Sequence, residues 1–210
     1  MKKKKFCVCL SGLDGSGKTF ITNKLIEIYG KENKVKHVWS RYKNYTSKPL
    51  LLLARITGHN YKETINGIKV GYHDFHTSKI LSIFFLFFQW IDQFFEIICR
   101  FKFTKLSIIS DRSLIDTLID ISVDTNMEKF IFSSYAKSLF KFMPQNTFYI
   151  IIERDLDLIK KKRPDVFYDK NTIKKHVLFN KISKKYPIHI INNNNDIEIT
   201  LKNICKIINQ

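Results

Sequence analysis

The stretch GLDGSGKT at residues 12–19 sets three glycines, a lysine and a threonine directly behind the apolar run FCVCL. Glycines let a backbone curl around an oxyanion with successive N–H groups pointing inward, and a helix opening behind them adds its positive end. The pattern is G-x-x-x-x-G-K-[ST], placed after a buried strand and before a helix, where a phosphate-binding loop has to be. On this reading Gly12, Gly15, Ser16, Gly17, Lys18 and Thr19 bind the phosphates of ATP. Lys18 reaches the β- and γ-phosphates and the Thr19 hydroxyl goes to Mg²⁺.

A second group lies in LSIISDRS, residues 106–113. An acid at the C-terminal end of a parallel strand sits at the mouth of the sheet, beside the loop if the two strands are neighbours. Asp111 can then hold Mg²⁺ directly or through water, and Arg112 can grip phosphate oxygens with two parallel N–H groups. A third is ERDLDLIKKKRPDVFYDK, residues 153–170, with four successive cations at 160–163 stopped by Pro164. It reads either as a basic flap over transferring phosphates or as a solvated helix face. The HDFH stretch at 73–76 has a faint metal-ligand look, but no cysteine or further ligand stands near it. A polar loop over residues 60–79 is the simpler reading.

Positioning these residues requires strands alternating with helices. Strand-length apolar runs recur at 6–10, 35–39, 106–110, 147–152 and 188–191, with helix-length stretches such as 19–29 and 128–143 between them. Continuous apolarity in CVCL, LSII and FYIII fits strands covered on both faces, so the expected class is α/β with a parallel sheet. The segment ILSIFFLFFQWIDQFFEIICRF at 80–101 invites a membrane reading. Its uninterrupted apolar part is too short to span a bilayer, and extending it takes in Asp92 and Glu96, which are costly at that depth. It reads better as a core helix with one polar stripe, Gln89, Asp92, Gln93 and Glu96, facing either water or a cleft that binds something polar.

The 210 residues suit one domain. Thirty-six Lys plus Arg against nineteen Asp plus Glu give a formal charge of +17, which favours phosphates, nucleic acid or anionic surfaces as partners. The cations are spread along the chain and not interleaved with aromatics as single-strand binders need, so nucleic acid is not the expected partner. Cys7, Cys9, Cys99 and Cys205 show no metal or redox spacing and read as reduced cytoplasmic thiols. MKKKK before FCVCLSGL mimics an export signal, but Asp14 and the glycines break it early. The one low-complexity patch is NNNN at 192–195.

These residues together resemble the thymidylate kinase family of P-loop nucleoside monophosphate kinases. GLDGSGKT is similar to that family's phosphate loop, acidic third position included, and DRS falls where it carries an Asp-Arg pair. HVWSRY through KPLLLLARITG, the helix with QWID, and ERDLDLIKKKRPD extend the likeness over most of the chain. The resemblance implies a three-layer α/β/α fold with a five-stranded parallel sheet flanked by helices. It implies transfer of the γ-phosphoryl group of ATP to dTMP with Mg²⁺, in a cytoplasmic homodimer. It divides the single domain into an acceptor-binding region at about 40–100 and a basic lid at about 154–175. By position, Asp14 resembles the carboxylate near the acceptor's sugar and phosphate, and Arg41 the arginine after the second strand that contacts phosphates. Arg112 resembles the one that binds acceptor phosphate. Some members carry a catalytic arginine inside the loop where this chain has Gly15, so the cation is expected from the lid, with Arg163 or a neighbouring lysine the candidate. The family usually has an aromatic residue and then a serine where Ser113 and Asp116 stand. In the aromatic helix this chain offers Gln89, Asp92 and Gln93 to the acceptor. Asp-Arg-Ser with a helical glutamine also resembles deoxynucleoside kinases, whose glutamine pairs with a base edge. A nucleotide-binding P-loop protein without phosphoryl transfer is the remaining alternative.

Overall fold

A computed structural model describes residues 5–31, 34–41 and 44–209. The basic lead at 1–4 and Tyr42 of HVWSRY lie outside the described residues. Five parallel strands form the main sheet: β1 (Cys7–Ser11), β2 (Val35–Trp39), β5 (Ser107–Asp111), β6 (Thr147–Glu153) and β7 (Ile188–Asn192), in the order β2-β5-β1-β6-β7. Each matches an expected apolar run to within a residue or two. Successive residues on β1 serve opposite faces: Cys7 and Cys9 pack into one core, Val8 and Leu10 into the other. The same alternation divides Ile108 from Ile109 and Ile151 from Ile150 and Ile152. A strand buried on both faces has no water-facing side, which is why apolar residues run consecutively through the middle of these strands, while the buried Ser110 of β5 is satisfied by the Val38 and Arg112 carbonyls. Cys7 and Cys9 bring their sulfurs to 3.9 Å on one face, and all four cysteines are free.

Helices α1 (Lys18–Gly30) and α9 (Ile197–Ile208) cover one face, through Ile21, Leu25, Ile204 and Ile208. On the other lie α4 (Leu114–Asp124), α5 (Ser134–Phe142) and α8 (Thr172–Ser183). The expected helix at 128–143 is two pieces: a 3₁₀ turn over Glu128–Phe132, then α5, whose N-cap Ser133 accepts from Ala136 N. Ser133 lies at φ −67, ψ 164, so its own hydroxyl starts a new helix and breaks the first.

Between α2 (Lys48–Ile56) and α3 (Lys79–Glu96) the expected polar loop is a β-hairpin, β3 (Asn60–Ile65) with β4 (Ile68–His73). Asn66 and Gly67 both take positive φ, 49° and 79°, the two-residue turn whose twist suits paired strands. The hairpin leans on α7 (Pro164–Tyr168), which follows α6 (Leu156–Lys162), and on Lys170 just beyond it. Asn66 Nδ2 donates to Tyr168 Oη at 3.0 Å, and Lys170 Nζ reaches Tyr61 Oη at 3.1 Å and Asp74 at 3.3 Å.

The aromatic helix α3 runs on into a π-helical turn, Ile97–Lys102, and this stretch is long and apolar enough to cross a membrane by length and composition. Its polar stripe faces neither water nor an open cleft: Gln89, Asp92, Gln93 and Glu96 are all buried. Asp92 accepts from the N–H groups of Tyr45, Thr46 and Ser47 and from the Thr46 and Ser47 hydroxyls, at 2.6 to 3.1 Å. A carboxylate remote in sequence thus caps α2, whose own N-cap Ser47 makes no capping bond. Gln89 Nε2 donates to Asn44 Oδ1 and Ser47 Oγ, and Glu96 takes Tyr45 Oη and Arg100.

Candidate active site

The loop at 12–17 joins the central strand to α1 and curls as its glycines allow. Gly12, Gly15 and Gly17 take φ of 138°, 86° and 98°. A Cβ on Gly12 would stand 2.4 Å from the Ile152 carbonyl, so this turn excludes any side chain there. Lys18 opens α1 and folds back over the loop, its Nζ donating to Leu13 O at 2.5 Å and Ser16 Oγ at 3.2 Å. Burial drives the Lys18 pKa down to about 8, against the pull of Asp116 and Asp111. An ammonium held there with two weak acceptors is short of negative charge, which a phosphate group supplies.

β5 lies beside β1 with Asp111 level with Leu10, so the strand ends bring Asp111 to the loop. Thr19 Oγ1 donates to Asp111 Oδ2 at 2.6 Å, while Asp111 Oδ1 is buried with no hydrogen-bond partner. A hydroxyl and a carboxylate with one oxygen orphaned, next to the glycine loop, are hard oxygen donors of the kind that suits Mg²⁺.

Arg112 turns the chain out of β5 at φ 79°, a left-handed conformation that costs a non-glycine residue about 1 kcal/mol. Its N–H to Leu10 O and the Ser110 hydroxyl on its carbonyl hold the turn. The guanidinium then points back at the loop, to Gly12 O, Asp116 Oδ1 and Asp14 Oδ1. Ser113 and Asp116, the two departures from the family pattern, form a capping box on α4: Ser113 Oγ accepts from Ile115 N, and Asp116 Oδ2 from Ser113 N. Asp116 also receives Gly12 N at 3.4 Å, and Ser11 Oγ meets Ser113 Oγ at 2.6 Å.

Arg41, past the end of β2, reaches Asp14 Oδ2 at 3.2 Å and Asp120 Oδ2 at 2.8 Å. Lys175 of α8 pairs with Asp120 from the other side at 3.2 Å. Burial works to raise the Asp120 pKa, but Lys175 and Arg41 overcome it and hold the acid down at about 2. Asp14 therefore bridges two arginines, and with Lys175 closing the cluster the remaining cavity is about 20 Å³, room for a water. A ligand entering here has to exchange its own charge for these ion pairs.

Arg163 lies between α6 and Pro164 with its side chain over the loop; a Cβ on Gly15 would be 3.1 Å from Arg163 Cγ. Asp165 holds the guanidinium by two bonds, 2.8 and 2.6 Å. Gln89 and Asp92 are engaged with residues 44–47, as described, and Gln89 Oε1 and Gln93 Nε2 are buried without a hydrogen-bond partner. One loop residue had no signal in the sequence: Asn193, inside the NNNN patch, donates from Nδ2 to Ser16 O at 2.8 Å. Among four identical letters only register on the sheet singles it out.

Comparison with known proteins places this fold in a structural class. No family model and no curated protein matches the sequence. Solved structures do match over nearly the whole chain. Thymidylate kinase from Candida albicans aligns over 98% of this chain and 92% of its own, at TM-score 0.60 and 14% identity. Thymidylate kinase from Ehrlichia chaffeensis aligns over 98% and 99%, at 0.55 and 17%. Deoxyadenosine kinase from M. mycoides, solved with bound dCTP, aligns over 97% and 99%, at 0.52 and 12%.

Proposed function

With the fold of the thymidylate and deoxynucleoside kinases as the starting point, we propose that this chain is an ATP-dependent nucleoside monophosphate kinase acting on dTMP to give dTDP. The observation that carries the reading is the meeting, at one end of the sheet, of a glycine loop bearing Lys18, the Thr19–Asp111 pair, and the two arginines that converge on Asp14. Phosphoryl transfer asks little covalent chemistry of a protein; it needs reactants in line and charge neutralised as it develops. Loop amides and Lys18 hold the β- and γ-phosphates. Thr19 and Asp111 are the residues to hold Mg²⁺, which when bound neutralises charge shared by those phosphates. Arg112 and Arg41 take the acceptor phosphate as Asp14 yields them, and Asp14 turns to the acceptor's sugar region. Arg163, over Gly15 on the basic lid at about 154–175, supplies the cation that steadies the transferring group. Residues 40–100 form the acceptor side.

The buried Gln89 Oε1 and Gln93 Nε2, an acceptor and a donor without partners one helical turn apart, favour a second reading: a deoxynucleoside kinase that holds a base edge with α3. An ATP-coupled assay across nucleoside monophosphates and nucleosides separates the two. Turnover of dTMP supports the first reading, turnover of thymidine or another nucleoside alone supports the second, and binding of ATP with no transfer leaves a nucleotide-binding protein.

The outward side of α3 exposes Ile80, Ile83, Phe84 and Phe87, each more than half accessible, which supports a homodimer across that helix. Sedimentation of the purified chain tests it. A cytoplasmic location follows from the same reading, since ATP is the donor.

A further inference from the structure

Asn193 is 7% exposed, and its N–H and both ends of its side-chain amide are committed. Its N–H donates to Glu153 O at 2.8 Å, its Oδ1 accepts from Thr200 Oγ1 at 3.1 Å, and its Nδ2 donates to Ser16 O at 2.8 Å. The Ser16 carbonyl can only accept, so the NH₂ end of the amide must face the loop, and Oδ1 is left to accept from the Thr200 hydroxyl. The fit is close, since a Cβ on Gly17 would stand 2.6 Å from Asn193 Nδ2. Gly17 is therefore required twice, by its φ of 98° and by Asn193.

In a trans peptide the carbonyl and the N–H lie in one rigid plane and point in opposite directions. A donor that pins the Ser16 carbonyl outward turns the Gly17 N–H the other way. We propose that Asn193 is a positioning residue for the phosphate donor, setting the Ser16–Gly17 peptide so that the Gly17 amide faces the phosphates, and that the end of β7 thereby tunes affinity for the triphosphate. The assignment rests on the kinase reading above, and it concerns the loop's alignment and not the acceptor.

Two near-isosteric changes test it. Asn193→Asp replaces the donor with an acceptor facing the Ser16 carbonyl. Thr200→Val removes the hydroxyl that anchors the amide through Oδ1 and adds no charge. Both are compared with the parent for melting temperature, for binding of MgATP and of inorganic tripolyphosphate by calorimetry, and for KM of each substrate. The expected result is weaker binding of both polyphosphate probes, about ten-fold for Asn193→Asp, the worth of roughly one hydrogen bond, and less for Thr200→Val. The ATP KM rises with it, and the acceptor KM stays within about two-fold on the independence of separated sites. Asn193→Ser, with a shorter donor, recovers part of the loss relative to Asn193→Asp. Equal polyphosphate affinity in parent and Asn193→Asp overturns the assignment while leaving the kinase reading intact. So does a parallel rise in both KM values with a fallen melting temperature, which marks general damage. A parent chain that binds neither probe overturns both readings together.

Discussion

Thr19 and Asp111, 92 residues apart, share a 2.6 Å hydrogen bond in which the threonine donates and one carboxylate oxygen accepts, the other being buried and without a partner. A carboxylate seldom leaves a buried oxygen unused, because the desolvation costs about 1 to 3 kcal/mol with nothing in return. The pair makes sense as two ligands at rest on one another. Asp111→Asn is expected to lower turnover about 100-fold and to move the Mg²⁺ dependence of the rate to higher concentration, as losing a charged metal ligand does. Initial rates across a Mg²⁺ titration check it; an unchanged dependence removes Asp111 from the metal site.

Lys18 carries a pH dependence with a definite sign. Its pKa falls from 10.5 to about 8 on folding, chiefly through burial. Between those values the unfolded chain holds a proton that the folded chain has released, so this group adds stability as pH rises through the window and opposes folding below it. Bound phosphate favours the charged amine and reverses the shift. ATP binding at about pH 8.5 should thus take up protons, and ATP affinity should fall as pH climbs past 8. Calorimetry in two buffers of different ionisation heat measures the uptake. In Lys18→Ala the uptake disappears, turnover drops about 1,000-fold or more for want of the phosphate contact, and the melting temperature near neutral pH does not fall, because the buried charge that opposes folding is gone.

Arg112 grips Gly12 O, Asp116 and Asp14 with one planar fork. An ammonium offers a single point of charge and cannot satisfy three acceptors in that plane. Arg112→Lys should raise the acceptor KM at least ten-fold, on the order of one charge-assisted hydrogen bond, with a smaller effect on the ATP KM. Steady-state kinetics with each substrate varied in turn will show it; a rise confined to ATP would place Arg112 on the donor side.

Asp92 accepts five hydrogen bonds from residues 45–47 while fully buried. Asp92→Ala strands three backbone N–H groups and two hydroxyls, and should cost about 3 to 5 kcal/mol. Thermal denaturation checks this. A loss below about 1 kcal/mol, the size of an ordinary hydrogen bond, would mean the segment finds other partners.

Gly67 completes the hairpin turn at φ 79°. Nothing lies within 4 Å of a Cβ placed there, so Gly67→Ala tests backbone strain alone. It should cost about 1 to 2 kcal/mol. The hairpin also carries Tyr61 and Asp74, the partners of Lys170, so amide exchange should quicken in the 168–172 segment together with 60–73.

The residues differ in how far their sequence setting reveals them. β1, β5 and β6 are legible because a strand buried on both faces carries consecutive apolar residues, as in CVCL, SII and FYIII, where a one-sided strand alternates. The glycine loop is legible because its glycines, Lys18 and Thr19 are neighbours in the chain and its curl is set by the backbone alone. The hairpin reads in the sequence as a polar loop: the polar side chains of its two exposed strands hide the alternation, although Asn66-Gly67 is a usual hairpin turn. The broken helix at 128–143 turned on whether Ser133 would cap or continue, which composition alone leaves open.

Sequence by itself determined the elements whose causes are local: strand period, loop glycines, the capping box of Ser113 and Asp116, and Pro164 ending the basic run. Tertiary structure alone decided what depends on distant partners. It drew Asp14 between Arg41 and Arg112, turned the α3 stripe inward to cap α2, and picked Asn193 out of four identical asparagines. The physical reason is range. Backbone preference and capping act within a few residues, whereas a buried charge or amide settles only where the fold brings its complement, and that complement lies elsewhere in the chain.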